Sequence, residues 1–198
     1  NLFEGIRAVY HICPNMHSDE LSIGVAMISA AKNAGVTQFV FHSVLHPQVE
    51  AMPHHWQKMR VEEALFASEI PFTILQPAAY MQNILVEWEN ILQEGIIRVP
   101  YSPESKGSPV DLNDVADVAS LVLSERGHIG ATYELCGPDI LTYYEQATIL
   151  SEYIDRSICV EQMSLDEWKT QAYGVGLSAY SVESLSKMFL YYDLYGFW

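Results

Sequence analysis

Long apolar runs are missing from this sequence of 198 residues. No stretch approaches the ~20 residues that a helix needs to cross a bilayer, and no signal segment opens the chain. Cysteine is scarce as well, because Cys13, Cys136 and Cys159 stand far apart, without the spacing of a zinc site or a disulfide framework. We therefore expect a cytoplasmic protein in a reducing compartment, with no membrane association.

Basic side chains are also few. Ten lysine and arginine residues stand against 25 aspartate and glutamate residues, which gives a formal net charge of −15 at pH 7. A surface of this charge repels phosphate backbones and anionic lipids, which excludes nucleic-acid and membrane-surface binding. A small molecule or a basic partner is easier to accommodate.

Glycine is the third scarcity. The chain has 11 glycines, and the best-clustered pair, Gly174 and Gly176, follows no strand, so this pair predicts a turn. Glycine-rich loops that hold a pyrophosphate with their backbone amides stand between a strand and a helix. The 198 residues contain no such loop.

An alternation of apolar strands and amphipathic helices is what the sequence does contain. With 49% hydrophobic residues the chain can bury a core, and its length fits one domain. Residues 38–43 predict a strand, residues 53–68 a helix and residues 72–77 a second strand. Strands joined by a helix are most simply parallel, which indicates an α/β fold, a doubly wound parallel sheet with helices on both faces.

The alternation continues on both sides of this unit. An apolar strand is predicted at residues 8–13, followed by a helix that Ser18 or Asp19 caps and Gly35 ends. The apolar positions that repeat at helical spacing along this helix are Leu21, Val25, Ile28 and Ala31. Downstream, helices are expected at 82–93, 112–123, 165–173 and 182–194 and after a capping box from Thr142 to Glu145, and strands at 96–99, 132–136 and 158–162.

The ends of the two central strands mark the predicted site. In an open parallel sheet the ligand crevice lies beyond the carboxyl ends of the strands, so Ser43, the 46–55 loop and the 77–83 loop should converge there. Four residues apart on a helix, His54 and Lys58 share one face, with Cβ atoms about 5–6 Å apart. The ammonium lowers the histidine pKa and favours a neutral imidazole.

Histidines are concentrated near this crevice. Six of the seven fall within the first 55 residues, namely His11, His17, His42, His46, His54 and His55. A metal site is not expected, because no pair forms a compact ligand motif with carboxylate support. Proton transfer or substrate hydrogen bonding suits the cluster better.

The order and spacing of five segments resemble the NmrA-like branch of the atypical short-chain dehydrogenases over essentially the whole chain. The matching segments are residues 39–43, Lys58 with Glu62 and Glu63, residues 70–83, residues 110–116 and residues 132–138. The resemblance implies a Rossmann-like sheet, an NADP cofactor, a hydrophobic small-molecule substrate and a small C-terminal helical part that binds it.

The resemblance also implies roles for individual residues. Lys58 takes the place of the lysine that holds the nicotinamide ribose, His54 stands at the offset of the usual catalytic tyrosine, and Tyr80 is a proton donor. The cofactor contacts are assigned to Pro14, Ser43, Lys58, Pro77 and Ala78. The substrate contacts are assigned to His46, His55, Gln76, Tyr80, Gln82, Asn83 and Trp168. For Asn83, capping of the following helix is an equally open interpretation.

Members of that family begin with three further strands and a glycine-rich loop, so the chain resembles a fragment of a longer one. Residues 1–140 would be the Rossmann-like part and residues 141–198 an aromatic substrate lid, within one domain. The strand at 8–13 would then present an unpaired edge. A missing segment or a second copy in a homodimer would cover it, unless the sheet is rebuilt with a protected edge.

Three functions remain open on this basis. The first is an NADP(H)-dependent oxidoreductase acting on a carbonyl, enone or quinone of a hydrophobic molecule. The second is a cofactor-independent acid/base catalyst, of the isomerase, cyclase or lyase type, that uses the remaining crevice. The third is a non-enzymatic redox-sensing regulator that binds a protein partner.

Overall fold

A computed structural model describes residues 3–198, which divide into two compact units. Unit 1 comprises the described residues up to 77 together with Leu112–Leu135, and unit 2 comprises Ala78–Asp111 and Cys136–Trp198. Residues 78–111, which the sequence assigned to the Rossmann-like part, thus belong to unit 2. The single-domain organisation stays a prediction, and each unit is described by itself.

Strands and helices alternate along the described chain. In chain order they are β1 (Ala8–His11), α1 (Glu20–Asn33), β2 (Gln38–His42), α2 (Pro53–Ser68), β3 (Phe72–Pro77), a 3-10 helix (Met81–Glu87), α3 (Trp88–Glu94), β4 (Ile96–Val99), α4 (Leu112–Ser124), β5 (Thr132–Leu135), α5 (Tyr143–Ile154), β6 (Cys159–Gln162), α6 (Leu165–Gly174) and α7 (Ala179–Tyr195).

Unit 1 is built on a four-stranded parallel sheet in the order β1-β2-β3-β5. The residue after β2, Ser43, continues the ladder, since its amide donates to the Leu75 carbonyl of β3 at 2.7 Å. The carboxyl ends of β2 and β3 therefore lie side by side, as predicted. The expected α/β architecture with a parallel sheet is confirmed.

Side chains of β2 divide between the two faces of this sheet. Phe39 and Phe41 pack with α1 and α2 on one face, in a cluster that includes Ile28 and Val61. Val40 packs with Leu75 and residues of α4, including Val122, on the other face. Because both faces are covered, every residue of β2 is buried, which explains why its three central residues, Phe39, Val40 and Phe41, are all apolar.

The buried face of α1 differs from the predicted one. Glu20, Gly24, Ile28 and Ala31 are buried, whereas Val25 is exposed. A Cβ atom at Gly24 would stand 2.7 Å from both γ-carbons of Val61, so the missing side chain lets α1 approach α2 closely. The close approach turns the Glu20 and Gly24 row, rather than the Val25 row, toward the core.

Unit 2 has its own small parallel sheet, in which β4 pairs with β6. Its core joins the two strands to α3 and α5 through Ile91, Ile97, Ala147 and Ile158. The helix predicted at residues 82–93 is instead a 3-10 helix followed by α3. The predicted capping box is confirmed, because the Thr142 hydroxyl accepts from the Glu145 amide while the Glu145 carboxylate accepts from the Thr142 amide.

Among the described helices, none has both the length and the apolar character that crossing a bilayer requires.

Candidate functional site

The adjacent ends of β2 and β3 are tied together by a buried carboxylate. Glu62, on the second half of α2, accepts a hydrogen bond from the Ser43 hydroxyl and is contacted at 2.9 and 3.0 Å by the side-chain amide of Gln76. Only 4% of Glu62 is exposed. Burial raises the pKa of its carboxyl group, while the Ser43 and Gln76 hydrogen bonds and the Lys58 charge oppose that rise.

Lys58, one helical turn before Glu62, forms a different contact. Its ammonium lies 2.5 Å from a carboxylate oxygen of Glu20, the first residue of α1, and 5.7 Å from the ring centroid of Phe41. The Lys58 side chain is 15% exposed and that of Glu20 is 2% exposed. Burial raises the pKa of the Glu20 carboxyl group, and the attraction of Lys58 lowers it in part. An ion pair with little exposure to solvent therefore joins α1 and α2, the two helices that cover this face of the sheet.

Two histidines near Lys58 have a buried ring nitrogen without a hydrogen-bond partner in the described part of the chain. These atoms are Nδ1 of His54 and Nε2 of His11. His11 ends β1, and its ring stacks on Phe41 at 5.9 Å. Burial, and then the charge of Lys58, lowers the pKa of His11. Burial lowers the pKa of His54 to about 2, with His55 and Lys58 contributing, so both imidazoles are neutral at pH 7.

The other two imidazoles in this region are held by protein groups. Nδ1 of His55 donates to the His46 carbonyl at 3.2 Å. Nδ1 of His42 lies 2.6 Å from the Tyr10 hydroxyl. Burial is the first cause that lowers the pKa of each of these two histidines to about 4.

Cys13 lies two residues beyond β1 and is buried in the same region. Burial raises the pKa of its thiol to about 11, the Glu20 carboxylate adds to the rise and Lys58 opposes it. The thiol is therefore protonated at physiological pH and is a poor nucleophile. Cys13 serves as packing rather than as a reactive group.

The predicted site residues fall into both units. Unit 1 holds Pro14, Ser43, His46, His54, His55, Lys58, Gln76 and Pro77. Pro14 is exposed, whereas Pro77 is buried and its carbonyl accepts from the Leu45 amide at 2.8 Å. The structure thus brings the ends of β2 and β3 and the first turns of α2 together in one polar cluster.

Unit 2 holds Ala78, Tyr80, Gln82, Asn83 and Trp168. Tyr80 pairs in an isolated bridge with Val110, and burial raises the pKa of its hydroxyl. The amide of Gln82 donates to Asp111 at 2.8 Å. Trp168 packs edge-to-face on Phe189 within an aromatic cluster. The roles assigned to these five residues stay predictions.

Two residues at the centre of the cluster were missed as site residues. The sequence indicates Glu62 only as part of a family motif, although its position four residues after Lys58 places it on the same helix face. The apolar repeat of α1 predicts a buried face that excludes Glu20, so the sequence does not indicate Glu20 as a site residue. The signal that could have identified Glu20 is its spacing of four residues from Gly24, in the helix that precedes the one carrying Lys58.

Within residues 3–198, no three histidine, cysteine, aspartate or glutamate side chains converge in a way that could hold a metal ion.

Comparison with known proteins gives the family. The model of the NmrA-like family matches residues 1–197. The NAD(P)H azoreductase of Xenophilus azovorans is 28% identical over 190 residues, which cover 93% of this chain and 64% of that protein. A (4-alkanoyl-5-oxo-2,5-dihydrofuran-3-yl)methyl phosphate reductase of Streptomyces griseus is 30% identical over 171 residues, which cover 84% of this chain and 58% of that protein. The chain thus spans less than two thirds of the length of these relatives.

Solved structures agree in fold. The NADPH-dependent quinone oxidoreductase of Escherichia coli, solved with NADPH, superposes with a TM-score of 0.83 at 24% identity, covering 96% of this chain and 67% of that one. The triphenylmethane reductase of Citrobacter sp., solved with NADP(H), gives a TM-score of 0.80 at 24% identity with the same coverages. At this identity the likeness concerns the fold. The chain belongs to the NmrA-like family.

Proposed function

We propose that the protein is an NADP(H)-dependent reductase that acts on a carbonyl, enone or quinone of a hydrophobic small molecule. The observation that carries the proposal is the partly buried Lys58 ammonium, held by Glu20 beside the carboxyl ends of the central strands. Ligands of open α/β sheets bind beyond these strand ends. The names of the relatives, an azoreductase and two reductases of other substrates, support the reaction class.

The donors of this cluster fit one end of a dinucleotide. An ammonium has three N–H donors, and among the described residues Glu20 is the one hydrogen-bond acceptor of Lys58, so two donors remain for a ligand. Two donors on one nitrogen suit the neighbouring hydroxyls of a ribose. The 15% exposure of the Lys58 side chain leaves a ligand room to reach them.

The fit is limited to that end. The 198 residues contain no glycine-rich loop for a pyrophosphate, and their net charge of −15 disfavours phosphate groups elsewhere on the surface. The proposal therefore assigns to this chain the nicotinamide ribose, with Lys58 donating and Pro14, Ser43 and Pro77 bordering the cofactor. The Ser43 hydroxyl is already bonded to Glu62 and the Ser43 amide to the Leu75 carbonyl, so Ser43 would border the cofactor without donating to it.

When bound, NADPH would supply the hydride, and the oxygen of the substrate would take up a proton from solvent water. At neutral pH His54 is an uncharged imidazole, so it can take part in a hydrogen bond, but its lowered pKa of about 2 makes it a poor proton acceptor. Lys58 contributes a fixed positive charge beside the ribose and near any negative charge that develops on the substrate oxygen. Burial of the cluster strengthens this electrostatic effect, because water screens it less.

NADPH titration of the purified protein, followed by fluorescence, tests the proposal. We expect Lys58→Met to weaken NADPH binding by about tenfold or more, since a charge-assisted hydrogen bond is lost. The variant Glu20→Gln/Lys58→Met leaves neither member of the ion pair charged and provides a folded reference. Lys32→Met is the matched control, because Lys32 pairs with Glu69 on the surface of the same unit.

Turnover then separates the candidate functions. Consumption of NADPH on a panel of quinones, enones and carbonyl compounds supports the reductase. Tight binding without consumption on any of them would favour the regulator, and no binding would favour the cofactor-independent catalyst. Unchanged affinity in Lys58→Met would show that the assignment of Lys58 is wrong.

A further inference from the structure

Two buried carboxylates flank Lys58, and they are satisfied in different ways. Glu62 stands one turn along the same helix, and its oxygens are bonded by the uncharged side chains of Ser43 and Gln76. Glu20 comes from another helix and bonds the Lys58 ammonium directly at 2.5 Å. Because neutral donors bind Glu62, the partly buried ammonium of Lys58 is available to pair with Glu20.

The position of the ammonium follows from this division. A lysine on a helix readily pairs with a glutamate four residues along, yet Lys58 reaches across to α1 instead of along α2 to Glu62. The Phe41 ring lies 5.7 Å from the ammonium and supports it from the sheet. Three elements thus fix a side chain that is otherwise long and rotatable.

The start of α1 is adapted to hold this carboxylate. Glu20 is in the first helical turn, where free backbone amides and the helix dipole favour a negative charge. One turn later Gly24 allows the Val61 side chain to approach, which brings Glu20 within reach of α2. Replacing a buried ion pair by apolar groups often leaves a protein equally or more stable, so stability alone is a weak reason for such a pair.

We propose that Glu20 is a positioning residue for dinucleotide binding, since its carboxylate fixes the Lys58 ammonium at the strand ends with two N–H groups left for the ribose. This inference rests on the proposed function, in which Lys58 contacts the cofactor. Glu20 itself touches no ligand in this proposal and acts through Lys58.

A double-mutant cycle with NADPH as the probe tests this role. We expect Glu20→Gln to weaken NADPH binding by about tenfold, and Glu20→Asp to weaken it less, because the shorter carboxylate still offers a charged partner. In the Lys58→Met background, Glu20→Gln should cause no further loss. Glu63→Gln is the matched control, because Glu63 lies on α2, the helix of Lys58, but is exposed and pairs with Arg60.

Acylation of individual lysines gives a readout that a general loss of structure would not produce. With an amine-reactive ester and mass spectrometry, Glu20→Gln should raise the rate at Lys58 several-fold and leave the rate at Lys32 unchanged. A variant that is merely less stable would react faster at all lysines. The thermal midpoint of each variant is measured alongside.

The outcomes distinguish this inference from the proposed function. If Lys58→Met weakens binding but Glu20→Gln does not, the positioning role is wrong and the function stands. If neither variant weakens binding, the assignment of Lys58 to the cofactor is wrong, and the positioning role of Glu20 is wrong with it. If Glu20→Gln weakens binding equally with and without Lys58, Glu20 acts on its own and the inference is overturned.

Discussion

At the scale of single residues, two large and opposing energies act on the Glu20 and Lys58 pair, namely the cost of removing the charges from water and the attraction between them. Burial raises the pKa of the Glu20 carboxyl group although an ammonium lies 2.5 Å away, so desolvation outweighs the attraction. A buried pair of this kind adds little net stability, but either charge left alone is costly. The coupling energy between the two residues is therefore much larger than the net contribution of the pair to the free energy of unfolding.

Removal of one charge or of both should show this coupling. Lys58→Met leaves a carboxylate without its cation, and we expect it to lower the free energy of unfolding by about 3–5 kcal/mol at pH 8. Glu20→Leu/Lys58→Met should return to within about 1 kcal/mol of the wild type or exceed it. Urea unfolding followed by tryptophan fluorescence measures both. Additive losses in the double variant would contradict the coupling.

Part of this cluster could be predicted from residues alone. The bounds of α2 are clear, because Pro53 can begin a helix and the chain turns to the left-handed conformation at Glu69. The shared face of His54 and Lys58 followed from helical spacing. Glu20 was missed because its burial depends on Gly24, and a glycine adds nothing to an apolar repeat. What decided the face was the contact with Val61, which is distant in sequence.

At the scale of elements, the approach of α1 to α2 depends on a missing methyl group. Gly24 is in the middle of α1, where glycine costs about 1 kcal/mol relative to alanine in helix propensity. An alanine there would collide with both γ-carbons of Val61, a fully buried and branched side chain that cannot move aside easily. Close packing is thus maintained against local propensity.

Gly24→Ala should therefore destabilise the protein although alanine favours helices. We expect a loss of about 1–3 kcal/mol from overpacking, together with weaker NADPH binding as Glu20 moves away from Lys58. Val61→Ala added to Gly24→Ala should recover NADPH affinity by making room for the new methyl group. Val25→Ala, on the exposed side of α1, is the control. A more stable Gly24→Ala variant would show that the helices can separate freely.

Element prediction succeeded where the pattern is local. The bounds of α2 and β3 matched the structure, because proline and apolar repeats define them. The pairing of β4 with β6 was not foreseen, since about sixty residues separate the strands. The 3-10 helix at Met81–Glu87 escaped detection because its apolar spacing also suits an α-helix.

At the scale of the whole molecule, acid should reduce stability despite the excess of negative charge. Burial lowers the pKa of His11, His42, His54 and His55, while it raises the pKa of Glu20 and Glu62. The histidines favour the folded state fully above the unfolded pKa of about 6.5, and this contribution falls as pH drops toward their folded values. Each histidine contributes up to about 1.4 kcal/mol per pH unit to this loss of stability. The two glutamates oppose the loss, but four histidines act against two glutamates.

We therefore expect the free energy of unfolding to fall between pH 7 and pH 5. The comparison is made in about 0.5 M salt, which screens the repulsion that acid relieves. Glutamine cannot take up a proton, so His54→Gln should reduce the slope of the free energy of unfolding against pH by up to the contribution of one proton, about 1.4 kcal/mol per pH unit. Stability that is constant or rises toward pH 5 would contradict the expectation.

The order of the two units along the polypeptide has a practical consequence for gene design. The backbone passes from unit 1 to unit 2 after Pro77, returns at Leu112 and leaves again after Leu135. No single truncation, and no single continuous fragment of the gene, encodes unit 1 alone with all four strands of its sheet. Anyone who wants the Lys58 cluster alone must splice Leu112–Leu135 onto Pro77 through a short synthetic bridge, deleting the 34-residue detour that Ala78–Asp111 makes.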